Sequence, residues 1–96
     1  MLLACALDAG AQAAAPEKSR TCTPCHGASG ISVQPDAPNL AGQPRAYLLA
    51  QLKAYRAGTR SNEQMNVIAK TLGDADIAEL ADWFSSIEIE VKRAPR

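Results

Sequence analysis

Aromatic mass is scarce in this chain: Tyr47, Tyr55, Trp83 and Phe84 are the whole set, and His26 is the sole imidazole. At 96 residues the chain makes one small domain with a marginal core of its own, because a chain of this size buries only about two-thirds of its unfolded surface. An added apolar group would make good the deficit. An excess of either charge is missing too. Ten basic and ten acidic residues cancel, and the basic ones are scattered, so no field or stripe points to nucleic acid. No run of about 18 apolar residues occurs, so no stretch of this sequence can cross a membrane as a helix. There are no internal repeats, and nothing has the composition of a domain linker. The one low-complexity stretch is Ala9 to Ala15.

The amino terminus carries a short apolar run, Leu2 to Leu7, and Ala11-Gln12-Ala13 fits a small-residue cleavage site. A basic n-region is lacking and Asp8 interrupts the run. We read residues 1–13 as a signal-peptide remnant or an N-terminal extension. Two other readings stand beside it: an extension of the first helix, and a lipoprotein-like acylation box at Leu2-Leu3-Ala4-Cys5. The folded domain then covers residues 14–90, with a frayed tail at 91–96 that includes Pro95.

Along that domain the pattern is helical throughout. A short helix is expected from Pro16 to His26, with Pro16 acceptable in its first turn. Gly27 to Gln43 holds three Gly and two Pro without a sustained period and reads as loop. Pro44 opens the clearest helix and Gly58 closes it, with Leu48, Leu52 and Tyr55 on one face. A polar loop and a short helix from about Asn62 to Leu72 follow. Gly73 stops that helix, and Asp74 is placed to cap the next. There Ile77, Leu80, Ala81 and Phe84 fall at i, i+3, i+4 and i+7, an apolar stripe facing a core. Trp83 and Phe84 are expected to fill the space between the terminal helices. No alternating segment of strand length is expected, so the fold class is all-α.

The strongest chemical signal is Cys22-Thr23-Pro24-Cys25-His26. A spacing of three on a helical turn puts both sulfurs on one side, where each can bond a haem vinyl carbon, and His26 can swing beneath the ring to bind iron. Other readings share the pattern. A thioredoxin-like redox pair requires a βαβ setting absent here. Zinc could take Cys22, Cys25 and His26, but Cys5 would have to be the fourth ligand. A plain disulfide is the last. Haem is the reading the helical context favours. Among distal ligands, Met65 stands out because His26 has no second imidazole to match it. It lies where a loop enters a helix without a strong apolar stripe; the rival view is a methionine that merely fills a gap.

The order Cys22-Thr23-Pro24-Cys25-His26-Gly27, then Pro38-Asn39-Leu40-Ala41-Gly42, then an isolated Met65 and an amphipathic last helix, resembles the class I cytochromes c. Tyr47-Leu48, Gln51-Leu52, Gly58-Thr59-Arg60 and Asp74 to Ala81 are similar to short bacterial periplasmic monohaem and tandem-dihaem members. The resemblance implies three to five helices wrapped around one covalent haem c. It makes Cys22 and Cys25 the thioether anchors, with His26 and Met65 as axial ligands. It also implies that the Pro38 carbonyl accepts from the ring of His26 and that Leu40 packs on the haem face. Tyr47, Arg56 and Arg60 are candidates to bond the haem propionates, against the alternative of a solvated helix face. One departure is local: the family's first helix carries a Gly and an aromatic, where this chain has Ala14, Ala15 and Pro16.

The function implied is single-electron transfer by a periplasmic carrier, not an enzyme. Its partners would be a redox donor and acceptor such as a reductase, dehydrogenase or terminal oxidase, with membrane-surface association open. The alternatives are a haem subunit held permanently in a larger oxidoreductase, or a five-coordinate haem sensor or weak peroxidase if Met65 does not ligate.

Overall fold

The computed structural model describes residues 14–92, so the segment 1–13, Cys5 and residues 93–96 lie outside the described residues. The elements are a 3-10 turn Glu17–Thr21, then α1 Thr23–His26, α2 Arg45–Ala57, α3 Glu63–Ala69 and α4 Asp74–Ser86. No strand occurs among the described residues. The fold is all-α, as the periodicity predicts.

The first helical segment arrives in two pieces instead of one. Pro16 is extended (φ −61°, ψ 148°) and starts the 3-10 turn, and α1 begins only at Thr23. Pro24 explains the break: its ring would meet the carbonyl of Arg20 in a continuous helix, and it has no N–H to offer. The 3-10 turn, which follows Ala14, Ala15 and Pro16, packs on α4.

α2 starts one residue after Pro44 and ends at Gly58, which takes the left-handed conformation (φ 83°, ψ 7°) that terminates helices. α2 packs against both α3 and α4. At α4 the capping expectation is corrected. Gly73 is the residue before the helix, and Asp76, not Asp74, accepts a hydrogen bond from its N–H at 2.9 Å. Asp74 is occupied elsewhere, by Arg56.

The stripe on α4 is the core. Ile77, Leu80, Ala81 and Phe84 are all buried, and Leu48 of α2 and Leu72 join them. Trp83 packs at the edge of this cluster, half-buried, with its indole N–H shielded from solvent and without a partner among the described residues. The long loop between α1 and α2 is sewn to the core's end. The Gly30 carbonyl accepts from Leu40 (2.7 Å) and Ala41 (3.1 Å), and the Gly42 N–H donates to Phe84 at the end of α4 (2.9 Å). Gly30 has φ +84°, and a Cβ there would stand 2.8 Å from the Ala41 nitrogen and 2.9 Å from the Phe84 ring. Only glycine fits.

The tail departs from the expectation of no alternating segment. Ile87-Glu88-Ile89-Glu90-Val91 alternates strictly, and Ile87 leaves α4 in extended backbone. Without a partner among the described residues it forms no ladder, and Ile89 and Val91 stay exposed.

Because Ile77 is fully buried and removed from the cleft described below, Ile77→Ala should cost about 2–5 kcal/mol of stability. Guanidinium unfolding followed by circular dichroism measures it, and a loss under about 1 kcal/mol would contradict the core assignment.

Candidate functional site

α1 is too short to be stable alone, yet it is the element on which the site is built. Cys22 precedes it, and Cys25 and His26 form its last turn. That turn places both thiols and the imidazole on the wall of one cavity of about 300 Å³. The thiols are not joined to each other. Burial pushes the Cys22 thiol up to about 11, because desolvation disfavours a thiolate. Among the described residues, no group of three His, Cys, Asp or Glu side chains is arranged to hold a metal ion.

His26 is buried, and its Nδ1 lies 2.8 Å from the carbonyl of Pro38. A carbonyl only accepts, so Nδ1 carries the hydrogen and Nε2 keeps its lone pair for a metal. Pro38 is held in place by the closed loop around it. The Asn39 Oδ1 accepts from Ser32 N–H at 2.6 Å, and Val33 N–H donates to the Cys25 carbonyl at 3.0 Å. Gly27 makes the exit from α1 possible: at φ +83°, a Cβ would collide with the Ile31 carbonyl oxygen.

α3 supplies another wall of the cavity. Met65 lines it, half-buried, one turn into a helix capped by Asn62, whose Oδ1 accepts from the Met65 N–H at 2.9 Å. Asn66 adds a bridge: its Oδ1 accepts from Asn62 N–H (2.9 Å), while its Nδ2 donates to the carbonyls of Tyr55 (2.8 Å) and Arg60 (2.9 Å). α1 packs on the 3-10 turn and α3 on α2, so the histidine and methionine sides meet across the cavity. Its floor is the core itself, since Leu48, Leu72, Leu80 and Phe84 belong to both.

Of the residues predicted from sequence, Cys22, Cys25, His26, Pro38, Leu40, Tyr47, Arg60 and Met65 all line this cavity. Arg56 does not. Its guanidinium donates to the Leu72 carbonyl at 3.2 Å and to Asp74 at 2.7 Å, facing the turn into α4. It lies one turn beyond Leu52, near enough to the cavity face to suggest a propionate contact, but the carbonyl and carboxylate at the start of α4 claim its donors. Arg60 lies over the Tyr55 ring at 4.8 Å and donates to Gln51 at 2.6 Å. Sequence reasoning missed Gln51, Tyr55, Asn62 and Asn66 as members of the site. Asn62 did carry a signal, an Asn at the start of a short helix; Asn66, a mid-helix polar residue, carried none.

The residues fit a haem. Two sulfurs three positions apart, an imidazole with Nε2 free and a thioether share one apolar slot that opens directly onto the core.

The comparisons agree with this chemistry. The family model described as Cytochrome c matches residues 8–88. Cytochrome c-554(548) of Halomonas halodenitrificans is 43% identical over 83 residues, covering 83% of this chain and 100% of the relative. Cytochrome c4 of Pseudomonas aeruginosa is 40% identical over 86 residues, covering 90% of this chain but 43% of the relative. The thiosulfate dehydrogenase electron acceptor of Thiomonas intermedia is 41% identical, covering 86% of this chain and 39% of that protein. Among solved structures, cytochrome c4 of Acidithiobacillus ferrooxidans matches with a TM-score of 0.65 and 41% identity, over 69% of this chain and 38% of that one. The chain thus spans the whole of one relative and about two-fifths of the others.

Arg56 holds the Asp74 carboxyl below the ordinary carboxylate range, through its hydrogen bond first and its charge second. A depressed folded value means the pair's contribution is present above the unfolded carboxylate pKa and is lost as pH falls through the folded one. In Arg56→Ala the Asp74 titration, followed by NMR, should move back up to the ordinary range. An unmoved titration would show that the pair does not persist in solution.

Proposed function

Because the chain belongs to the cytochrome c family, we propose that it is a periplasmic carrier of single electrons whose haem c is gripped by His26 on one side and Met65 on the other. Haem-mediated electron transfer is what the family does, and Cys22-Thr23-Pro24-Cys25-His26 is the attachment signature for covalent haem c. Bound there, the haem supplies reversible one-electron cycling of its iron.

The observation that carries the reading is the hydrogen bond from His26 Nδ1 to Pro38 O. It presents Nε2 to the same cavity that Met65, Cys22 and Cys25 line. Each residue's part follows from its chemistry. Cys22 and Cys25 tether the group so that a small chain cannot lose it. His26 holds the proximal side, and the Pro38 carbonyl makes its imidazole a stronger donor. The Met65 thioether favours the reduced state. Leu40, Leu48, Leu80 and Phe84 keep water away and so disfavour the extra charge of the oxidised one. With His26 and Met65 both holding the iron, no position would remain open for a substrate, which fits an electron carrier and not a catalyst. Tyr47 and Arg60, which line the cavity beside other donors such as Lys18 and Tyr55, have hydrogen donors suited to propionates. A periplasmic setting is supported by the attachment chemistry, which is carried out beyond the cytoplasm in the family this chain resembles.

A second reading has its own support. Relatives in Thiomonas intermedia and Stutzerimonas stutzeri are named thiosulfate dehydrogenase electron acceptor, and this chain spans 39% and 32% of them. The domain would then serve one dehydrogenase, as its dedicated acceptor or as part of a larger assembly. Tight co-purification with such an enzyme favours this reading over a freely diffusing shuttle.

The experiment is Met65→Ala, made in a host that attaches haem c. The variant should keep its covalent haem by mass and bind small ligands such as imidazole at the iron. Its potential should fall by about 100 mV or more, a fraction of the roughly 0.8 V that axial ligands span. Unchanged potential and unchanged ligand binding would remove Met65 from the iron and leave the five-coordinate sensor or weak peroxidase standing.

A further inference from the structure

We propose that Asn66 is the positioning residue for the distal ligand, acting as a three-way strap that holds Met65 against the iron. The inference rests on the reading of Met65 as the sixth ligand and goes beyond it to what keeps the ligand there.

The need for a strap follows from how α3 is anchored. Glu63–Ala69 is two turns long, so the helix has little stability of its own. Its outward residues, such as Val67, are exposed, and only Ala69 is fully buried. Packing alone therefore holds Met65 weakly. The loop before α3, from Gly58 to Asn62, is polar and has no buried residue.

Asn66 closes that gap with one side chain. Its Nδ2 has two hydrogens and spends both, on Tyr55 O at 2.8 Å and on Arg60 O at 2.9 Å. Its Oδ1 accepts from Asn62 N–H at 2.9 Å. The last turn of α2, the loop after it and the start of α3 are thus joined at one amide. Asn62, fixed by this bond, in turn accepts from the Met65 N–H. Met65 is consequently fastened through its own backbone to a point that Asn66 determines. The orientation of the amide is set by its partners, because two carbonyls can face only the NH₂ end.

A carboxylate at this position would keep the shape and reverse the chemistry. In Asn66→Asp, an oxygen faces two carbonyl oxygens, so both donations are lost and repulsion replaces them. Asn and Asp have similar helix propensity, so α3 itself is little affected. Loss of a strap makes the ferric iron easier to reach by an outside ligand that competes with Met65.

The test compares wild type, Asn66→Asp, Met65→Ala and Ile77→Val as haem-loaded proteins. Ile77→Val destabilises the core without touching the strap. The readouts are the weak charge-transfer band of methionine-ligated ferric haem and the affinity of the ferric protein for imidazole, both taken well below the thermal transition. Asn66→Asp should weaken the band and bind imidazole at least ~10-fold more tightly, a factor equal to about 1.4 kcal/mol, while Ile77→Val behaves as wild type. If Asn66→Asp does not accumulate, Asn66→Ser removes the same long-range bonds and takes its place. Wild-type imidazole affinity and an intact band in the Asn66 variant overturn the strap, provided wild type shows the band and Met65→Ala lacks it. A wild type without the band overturns the Met65 reading instead, and the strap falls with it. An Ile77→Val protein as easily invaded by imidazole as Asn66→Asp would reduce Asn66 to a general stability role and likewise overturn the proposal.

Discussion

The hydrogen bond from the His26 ring to the Pro38 carbonyl is the constraint on which the rest of this structure depends. One residue separated from its partner by twelve positions fixes which ring nitrogen is free, and hence where a metal can sit. For that bond to exist, the chain must leave α1 sharply and return. Gly27 allows the exit, Gly30 allows the loop to close on Ala41 and Phe84, and the Ser32–Asn39 bond shapes what lies between. The loop that looks irregular in sequence is therefore the most tightly specified part of the site. Its hydrogen bond to the Phe84 carbonyl and its contact with the Phe84 ring tie it to α4, so the histidine side inherits the rigidity of the core.

The core, in turn, is not finished by protein alone. Leu48, Leu72, Leu80 and Phe84 pack with Ile77 and Ala81 on one side and face the cavity on the other. In a domain this small, an apolar plate in that cavity would cover Leu40, Leu52 and Ile68, which line it and are only half-buried by protein. The group that carries the electron also completes the hydrophobic interior. This links the scarcity of aromatic residues to function: the covalent haem supplies the large flat apolar mass that other small domains draw from Trp and Phe.

The parts legible in the sequence were those whose signal is local. Cys22-Thr23-Pro24-Cys25-His26 announces itself, and the i, i+3, i+4, i+7 stripe on α4 names four core residues that the structure buries. Gly58 and Asn62 mark helix ends by their residue type. What was not legible depends on partners distant in sequence. Asp74 has the right chemistry for a cap, but Arg56, eighteen positions earlier, claims it and leaves the capping to Asp76. Arg56, bonded there, does not line the cavity. The break between the 3-10 turn and α1 was written in Pro24, whose effect on a preceding carbonyl is easily missed inside so short a motif. Asn66 gave no sign, since a polar residue on a short helix is ordinarily a solvated one, and its three partners become neighbours only after α2 and α3 pack.

The two sides of the cavity are consequently unequal. The histidine side carries both cysteines beside His26 and is backed by a loop that closes where only glycine fits, at Gly27 and Gly30. The methionine side sits on a helix of two turns, after a polar loop, and is joined to α2 mainly through hydrogen bonds that solvent can contest. The α3 wall is therefore the one with fewer anchors, while α1 carries Cys25 and His26 directly after Cys22. Two thioether bonds at Cys22 and Cys25 would hold the haem to the histidine side independently of the methionine wall. On the proposed Met65 ligation, the hydrogen bonds around α3, and not those around α1, would be the place where the iron's accessibility and potential are adjusted by substitutions that leave the fold intact.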